Sequence, residues 1–259
     1  MKTQIFNGSR IWCATSEALQ EMAHNHDMAI NANITMVDFF TAREPMAISE
    51  EGIAQINISG GLLDSPPAIH EKTGGTAYKT VIAEIDEAKL AGAKGIFFNV
   101  SSGGGSVTGL KETSNAIMSA GLPTMAHCDG VACSAAYYLA SSADELASSP
   151  SALVGNIGTI MSWQSNSGLA TEVIINDGAD LKSTFKGELS DTQREFLQNQ
   201  VNAIGEDFKD HVLNTRDAID SEVFRAGWYS GEQAVDLGVV DGNATKREAM
   251  AIFRGELNL

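Results

Sequence analysis

A serine set among small residues is the first candidate for chemistry in this chain. Ser134 lies in the stretch GVACSAAYYLA, at the start of a predicted small-residue helix. A tight strand-to-helix turn exposes such a hydroxyl and directs backbone N–H groups at the group it attacks. A second glycine loop, SSGGGSV at residues 101–107, follows an apolar strand. Together the two loops indicate acyl transfer, with the nucleophile on one loop and an oxyanion donor on the other.

A serine nucleophile needs a base, and histidine is the usual one. His127 ends a predicted strand seven residues before Ser134, although a strand-end histidine without a catalytic role is the simpler interpretation. The remaining histidines fall in a predicted arm, in a loop or on a long helix: His24, His26, His70 and His211.

A lysine with a lowered pKa is the other base to consider. Lys186 follows a predicted strand at residues 179–185, at the rim where a parallel sheet places functional groups. Lys182 is the second candidate. From the residues alone, a solvated surface lysine is the simpler interpretation of Lys186, and an ordinary helix N-cap is the simpler interpretation of Ser134.

The elements around these residues alternate between strands and helices. Predicted strands cover residues 53–58, 95–100, 123–127, 145–148 and 179–185, and predicted helices cover 80–91, 107–120, 134–142 and 190–216. This order predicts an α/β fold with a parallel sheet and helices on both faces. A capped helix at residues 16–23 belongs to an N-terminal arm, so we expect an arm at 1–50, a main domain at 51–245 and a tail at 246–259.

Composition limits the classes of function. The chain has 259 residues and a net charge of −16, which argues against binding to nucleic acid or to anionic membranes. Three cysteines at irregular spacing predict neither a disulfide framework nor a zinc site. No signal-peptide core and no long apolar run is found, so the sequence predicts a cytoplasmic protein.

The motif order resembles the S49 serine peptidases, a family that includes phage head-maturation proteases and signal peptide peptidases. The resemblance rests on the apolar strand, SGGGSV, the loop with Ser134, GNIGTI, a lysine, a long helix and YSGEQAVDLGVVD, and it covers residues 52–241. The resemblance implies a ClpP/crotonase-like fold and neither a metal nor an organic cofactor. The strand IAQINISGGL and the arm are closest to the phage capsid protease branch.

The resemblance assigns roles by position. It implies that Ser134 is the nucleophile, Lys186 the general base, and the N–H groups of Gly105 and Ala135 the oxyanion hole. Asn156 stands where the family usually has a serine that orients the lysine, and an amide oxygen can also accept from an ammonium group. Substrate is expected to add as a strand along a set of five residues: Gly104, Ser106, Val107, Gly155 and Ile157.

The family further implies a serine endopeptidase with a Ser/Lys dyad that cleaves scaffold and capsid proteins inside a phage prohead. It implies a homo-oligomeric ring, such as an octamer, in which the lysine can come from a neighbouring subunit. Two alternatives stay open. One is a cytoplasmic enzyme that degrades residual peptides in the manner of signal peptide peptidases, and the other is an inactive ring-forming scaffold.

Overall fold

A computed structural model describes residues 42–67, 69–161 and 189–259, and the backbone of residues 11–14. Thirteen strands are assigned in these ranges: β1 Ile11–Ala14, β2 Ala47–Ile48, β3 Ile53–Ser59, β4 Leu62–Leu63, β5 Thr76–Ala77, β6 Gly95–Ser102, β7 Gly104–Ser106, β8 Thr124–Cys133, β9 Glu145–Ser148, β10 Leu153–Gly155, β11 Ile160–Met161, β12 Trp228–Ser230 and β13 Gly242–Asn243. The helices are α1 Ile69–Lys72, α2 Tyr78–Leu90, α3 Leu110–Met118, α4 Ala135–Ala140, α5 Asp191–Thr215, α6 Gly231–Asp236 and α7 Lys246–Glu256, with a 3₁₀ turn at Ser221–Arg225.

The larger of two sheets carries the main core. Its strand order is β12-β10-β8-β6-β3-β2, and β9 pairs with both β8 and β13. The contacts β3–β6, β6–β8, β8–β9 and β8–β10 are all parallel. Antiparallel pairing is confined to the edges, at β2 and β12. The predicted parallel α/β sheet is confirmed.

Both faces of this sheet are covered. Phe97 and Phe98 are neighbours on β6, so their side chains point to opposite faces, and both are fully buried. Phe98 joins the larger core cluster with residues of α2, α3, α4 and α5. Phe97 packs instead with Ala249 and Phe253 of α7. Burial on both sides explains why β6 reads as an almost continuous apolar run.

The smaller sheet has the order β11-β1-β7-β4-β5. Strand β1 is antiparallel to both of its neighbours, β7 and β11, whereas β7, β4 and β5 are mutually parallel. Within the described residues, β1 is the only strand that pairs with β11, and it joins β11 to the rest of this sheet.

The structure changes several predicted boundaries. Strand β8 continues to Cys133, immediately before Ser134, where the sequence indicated a loop after residue 127. Residues 246–259, predicted as a tail, contain α7, which packs on the sheet because Ala249 and Phe253 face it. The predicted helix at 16–23 and strand at 179–185 lie outside the described residues. The capping box of Ser190 at the start of α5 is as the sequence indicates.

Candidate active site

Ser134 has the backbone of a strained turn. It connects β8 to α4 with φ 58° and ψ −124°, a conformation that non-glycine residues rarely adopt. Such strain costs about 1–3 kcal/mol and persists only where the surrounding structure enforces it. Ser134 occupies the N-cap position of α4, yet its side chain makes no capping hydrogen bond. The hydroxyl is therefore not placed there to cap the helix.

Two backbone contacts hold this turn beside the segment that follows β10. The Ser134 N–H donates to the Gly155 carbonyl oxygen at 2.8 Å. The Ser134 Oγ lies 3.4 Å from the Gly158 carbonyl oxygen, two residues before β11 begins. Residue 134 is only 1% exposed. The hydroxyl is thus enclosed by backbone and has one long contact to a carbonyl.

Helix α4, which begins immediately after Ser134, packs against the glycine strand β7. The Ser102 hydroxyl bridges the loop before β7, since its Oγ donates to the Gly60 carbonyl oxygen at 2.6 Å and accepts the Gly104 N–H at 3.0 Å. The Gly104 N–H is therefore used within the protein. This bridge ties the loop that contains Gly103 to the residue that follows β3.

Gly105 has no room for a side chain. A Cβ at this residue would lie 2.0 Å from the Leu62 carbonyl oxygen and 2.5 Å from the Leu62 Cβ. Gly105 is opposite Leu62 of β4 on one side and opposite Cys13 of β1 on the other. Close packing of backbone on backbone explains the glycine, and it holds the predicted oxyanion strand at a fixed position.

The other residues that were predicted to contact substrate have different surroundings in the structure. Ser106 belongs to β7, and its carbonyl oxygen accepts from the buried Tyr78 hydroxyl at 2.7 Å. Val107 follows β7 and packs partly against the core. Gly155 already pairs with Cys133 of β8 and with Trp228 of β12, and the Ile157 side chain is buried in the core. Both edges of β10 are thus already paired at Gly155, whereas the substrate role of Ile157, which follows β10, stays a prediction.

Asn156 has a left-handed backbone with φ 54°. Its Nδ2 donates to the Ala226 carbonyl oxygen at 2.9 Å, and its backbone N–H donates to the Gly227 carbonyl oxygen. These contacts fasten the residue to the turn before β12. They engage the nitrogen end of the side chain, whereas the predicted role in orienting a lysine falls on Oδ1.

The structure describes only some of the residues considered as the catalytic base. Lys186 and Lys182 lie outside the described residues, and so do His24 and His26. The other three histidines each place Nε2 on a backbone carbonyl oxygen: His70 on Gly61, His127 on Ala244 and His211 on Tyr138. Burial lowers the pKa of all three, that of His211 to about 4. His127 is a core residue stacked on Phe97, as the simpler interpretation had it.

Nearby carboxylates and thiols have structural contacts. Asp144 accepts from the backbone N–H and the hydroxyl of Thr124, and Asp129 accepts from the Ser149 hydroxyl. Cys133 is 2% exposed, and its thiol faces the Leu153 carbonyl oxygen. Burial raises the pKa of the Cys128 thiol. Neither thiol has the exposed, electropositive setting of a reactive cysteine.

The part of the chain that the structure describes has neither a metal-binding cluster nor a membrane-spanning helix. No group of three or more His, Cys, Asp or Glu side chains is arranged to hold a metal ion there. None of the described helices is both long enough and apolar enough to cross a membrane.

Sequence reasoning missed the pairing of the small sheet. The Ile11–Ala14 strand gives no signal of its own beyond four uncharged residues, and its two partner strands lie about 90 and 150 residues later. Uncharged residues close to the start of the chain were the only sequence feature that could have indicated this strand.

Comparison with known proteins gives consistent matches. The model of peptidase family S49 matches residues 116–259. The chain is 28% identical over 225 residues to the capsid assembly protease C of Escherichia phage lambda, covering 80% of this chain and 50% of that protein. It is 23% identical over 222 residues to the head-tail preconnector protein GP5 of Enterobacteria phage P21, covering 80% of this chain and 44% of that protein. The chain therefore spans about half the length of these relatives.

Proposed function

Because the chain belongs to peptidase family S49, we propose that it is a serine endopeptidase of phage head maturation. Ser134 is the nucleophile and Lys186 the general base. The observation that carries this proposal is the strained backbone of Ser134, whose hydroxyl is held at a helix N-terminus without capping it.

The oxyanion hole consists of the N–H groups of Gly105 and Ala135. Ala135 begins α4, and the first N–H groups of a helix have no partner within the helix. The helix N-terminus also carries partial positive charge. Gly105 is preferred to Gly104 as the second donor, because the Gly104 N–H is already bound to Ser102. Donors fixed in advance are worth about 3–4 kcal/mol each in similar sites.

The reaction proceeds by acyl transfer. The neutral Lys186 amine takes the Ser134 proton as Oγ bonds to the peptide carbonyl carbon, and the two N–H groups bind the resulting oxyanion. The carbon–nitrogen bond then breaks, and the lysine ammonium returns its proton to the leaving nitrogen. A water molecule, deprotonated by the same amine, hydrolyses the ester and regenerates the serine. Asn156 is proposed to orient the lysine through Oδ1.

The substrates we propose are scaffold and capsid proteins. This rests on the similarity to the capsid assembly protease of phage lambda. A place of action in the host cytoplasm or inside the prohead follows from such substrates. We also propose a ring-shaped homo-oligomer in which a neighbouring subunit supplies the lysine.

The test is cleavage of casein and of the cognate capsid proteins. Ser134→Ala should lower the rate about a thousandfold or more, as loss of a nucleophile does in other serine peptidases. Ser141→Ala is the matched control, because Ser141 is also buried and its hydroxyl donates to the Tyr138 carbonyl oxygen. Equal cleavage by the unsubstituted chain and by Ser134→Ala would remove Ser134 from the mechanism.

A further inference from the structure

We propose that the chain's own strand Ile11–Ala14 fills the groove between β7 and β11, where the substrate strand of the proposed function would add, and that it competes with substrate there. The inference rests on the proposed function, because it names the substrate geometry and the regulation of the same site. Its structural basis is the pairing of β1 with both flanking strands.

The groove has the width of one strand. Strand β1 is antiparallel to β7 on one side and to β11 on the other. Neighbouring strands are about 4.8 Å apart, so β7 and β11 stand about 10 Å apart with one strand between them. Within the described part of the chain, nothing but β1 pairs with β11. Without β1, this edge of β7 is open to any extended segment, the arrangement by which peptides add to a sheet.

The register brings β1 to Ser134. Cys13 is opposite Gly105 and Ala14 is opposite Gly104. On the other side, Ile11 is opposite Met161 and Trp12 opposite Ile160. Continuing that register by two residues places Ala14 opposite Gly158, whose carbonyl oxygen lies 3.4 Å from the Ser134 Oγ.

The same register places Cys13 beside the proposed oxyanion donor. Gly105 is opposite Cys13 and leaves no space for a side chain of its own. The peptide between Cys13 and Ala14 therefore occupies the position at which a substrate carbonyl would meet Ser134. A bound strand here excludes a second one, because each edge of β7 and β11 can pair only once.

The residues of β1, which fills the groove, also indicate which class of substrate the groove accepts. The groove accepts an extended, uncharged segment, and the residues at the reaction position, Cys13 and Ala14, are small. Most of the binding comes from main-chain hydrogen bonds, so segments of varied sequence can replace β1 if they are extended and carry small residues at these two positions.

A proline substitution tests the occupancy without relying on catalysis. Cys13→Pro removes an N–H donor and disfavours a strand that is paired on both sides. Cys13→Ala keeps the backbone and is the matched control. The probe is a fluorescein-labelled peptide with the sequence of residues 8–17, and binding is measured by fluorescence anisotropy in both variants carrying Ser134→Ala.

The proline variant should bind the peptide about tenfold more tightly than the alanine variant, because a groove that is filled most of the time lowers the apparent affinity in proportion. The same peptide with proline in place of Cys13 should bind neither variant. Equal affinity in the two variants, or no binding to the proline variant, would overturn the inference.

A second measurement needs no substitution in the groove strand. In the isotope-labelled chain, followed by NMR, excess unlabelled peptide should speed hydrogen exchange of the amides of residues 11–14 and leave those of β3 unchanged. Unchanged exchange at residues 11–14 contradicts the inference. Activity reports separately on the proposed function: if the peptide displaces β1 while no variant cleaves protein, the groove stands and the enzymatic proposal fails.

Discussion

The Ser134 N–H donates to the carbonyl oxygen of Gly155 across 2.8 Å, and both residues have a positive φ, 58° and 113° respectively. The contact joins the turn that carries the hydroxyl to a strand, β10, that is paired on both of its sides. A conformation that is unfavourable for serine is thereby held by a glycine whose own conformation most residues cannot adopt.

Gly155→Ala should therefore impair catalysis more than folding. The new Cβ would lie 3.1 Å from the Gly227 carbonyl oxygen on a backbone with φ 113°. We expect kcat to fall about tenfold or more, because small displacements of a nucleophile carry large costs in rate. The measurement is kcat and KM for a peptide substrate. Gly92→Ala, also at positive φ but with no atoms near its Cβ, should leave kcat unchanged; equal losses in both variants would contradict this account.

Ser102→Ala tests the loop before β7, the strand that carries the proposed oxyanion donor Gly105. Loss of the hydroxyl leaves the Gly60 carbonyl oxygen and the Gly104 N–H without this partner, which costs about 1–3 kcal/mol of stability. Because the loop leads directly into Gly105, we expect kcat to fall as well. Ser148→Ala removes another fully buried hydroxyl, whose contact is to Asn243, and should lower stability alone. A Ser102→Ala variant with unchanged kcat would separate this loop from the oxyanion hole.

Glu145 gives a pH-dependent prediction. Burial, and then the neighbouring carboxylates Glu256, Asp241 and Asp144, raises the pKa of Glu145 to about 7 from its ordinary value of 4.5. The neutral form is favoured in the folded protein, so its stabilising contribution is full below pH 4.5 and is lost as the pH rises through about 7.

Glu145→Gln should accordingly raise the free energy of unfolding at pH 8, by about 1 kcal/mol or less because the site is partly solvated. It should give no gain at pH 4. Denaturant unfolding at the two pH values measures both effects. A gain from Glu145→Gln that is equal at both pH values would refute the raised pKa of Glu145.

Glu248, whose pKa is lowered by hydrogen bonds from Thr245, should behave in the opposite sense, with Glu248→Gln losing stability at pH 8.

The origin of the base is tested by mixing inactive variants. We expect Lys186→Ala to abolish cleavage and Lys182→Ala to preserve it. If a neighbouring subunit supplies the lysine, mixing Ser134→Ala with Lys186→Ala before assembly should restore about a quarter of the activity at equal proportions, since that share of sites receives both intact residues. No recovery on mixing would place both groups in one subunit.

The sequence could indicate the parallel core because its signals are local. The apolar run of β6, the amphipathic pattern of α2 and the capping box at Ser190 each depend on a few neighbouring residues. The prediction that Ser134 is a nucleophile likewise rests on the small residues around a predicted turn. Its backbone strain and the absence of a cap bond could not be predicted, because they depend on Gly155 and the pairing of β10.

The strand pairing around the predicted substrate residues could not be predicted for a related reason. Gly155 and Ile157 lie close to Ser134 in the fold, but sequence does not reveal that β12 already covers β10. Ile160 and Met161, a few residues further along, pair instead with β1, a strand from the start of the chain. Pairings over such separations follow from the complete fold rather than from local propensity.

Covalent labelling by a fluorophosphonate probe tests the central claim most directly. The unsubstituted chain, and more rapidly the Cys13→Pro variant, should gain one adduct that tandem mass spectrometry locates on the Ser134 Oγ, and Ser134→Ala should gain none. Labelling of Ser134→Ala to the same extent, or no adduct on residue 134 in the assembled protein at any pH, would contradict the assignment of this hydroxyl as the nucleophile.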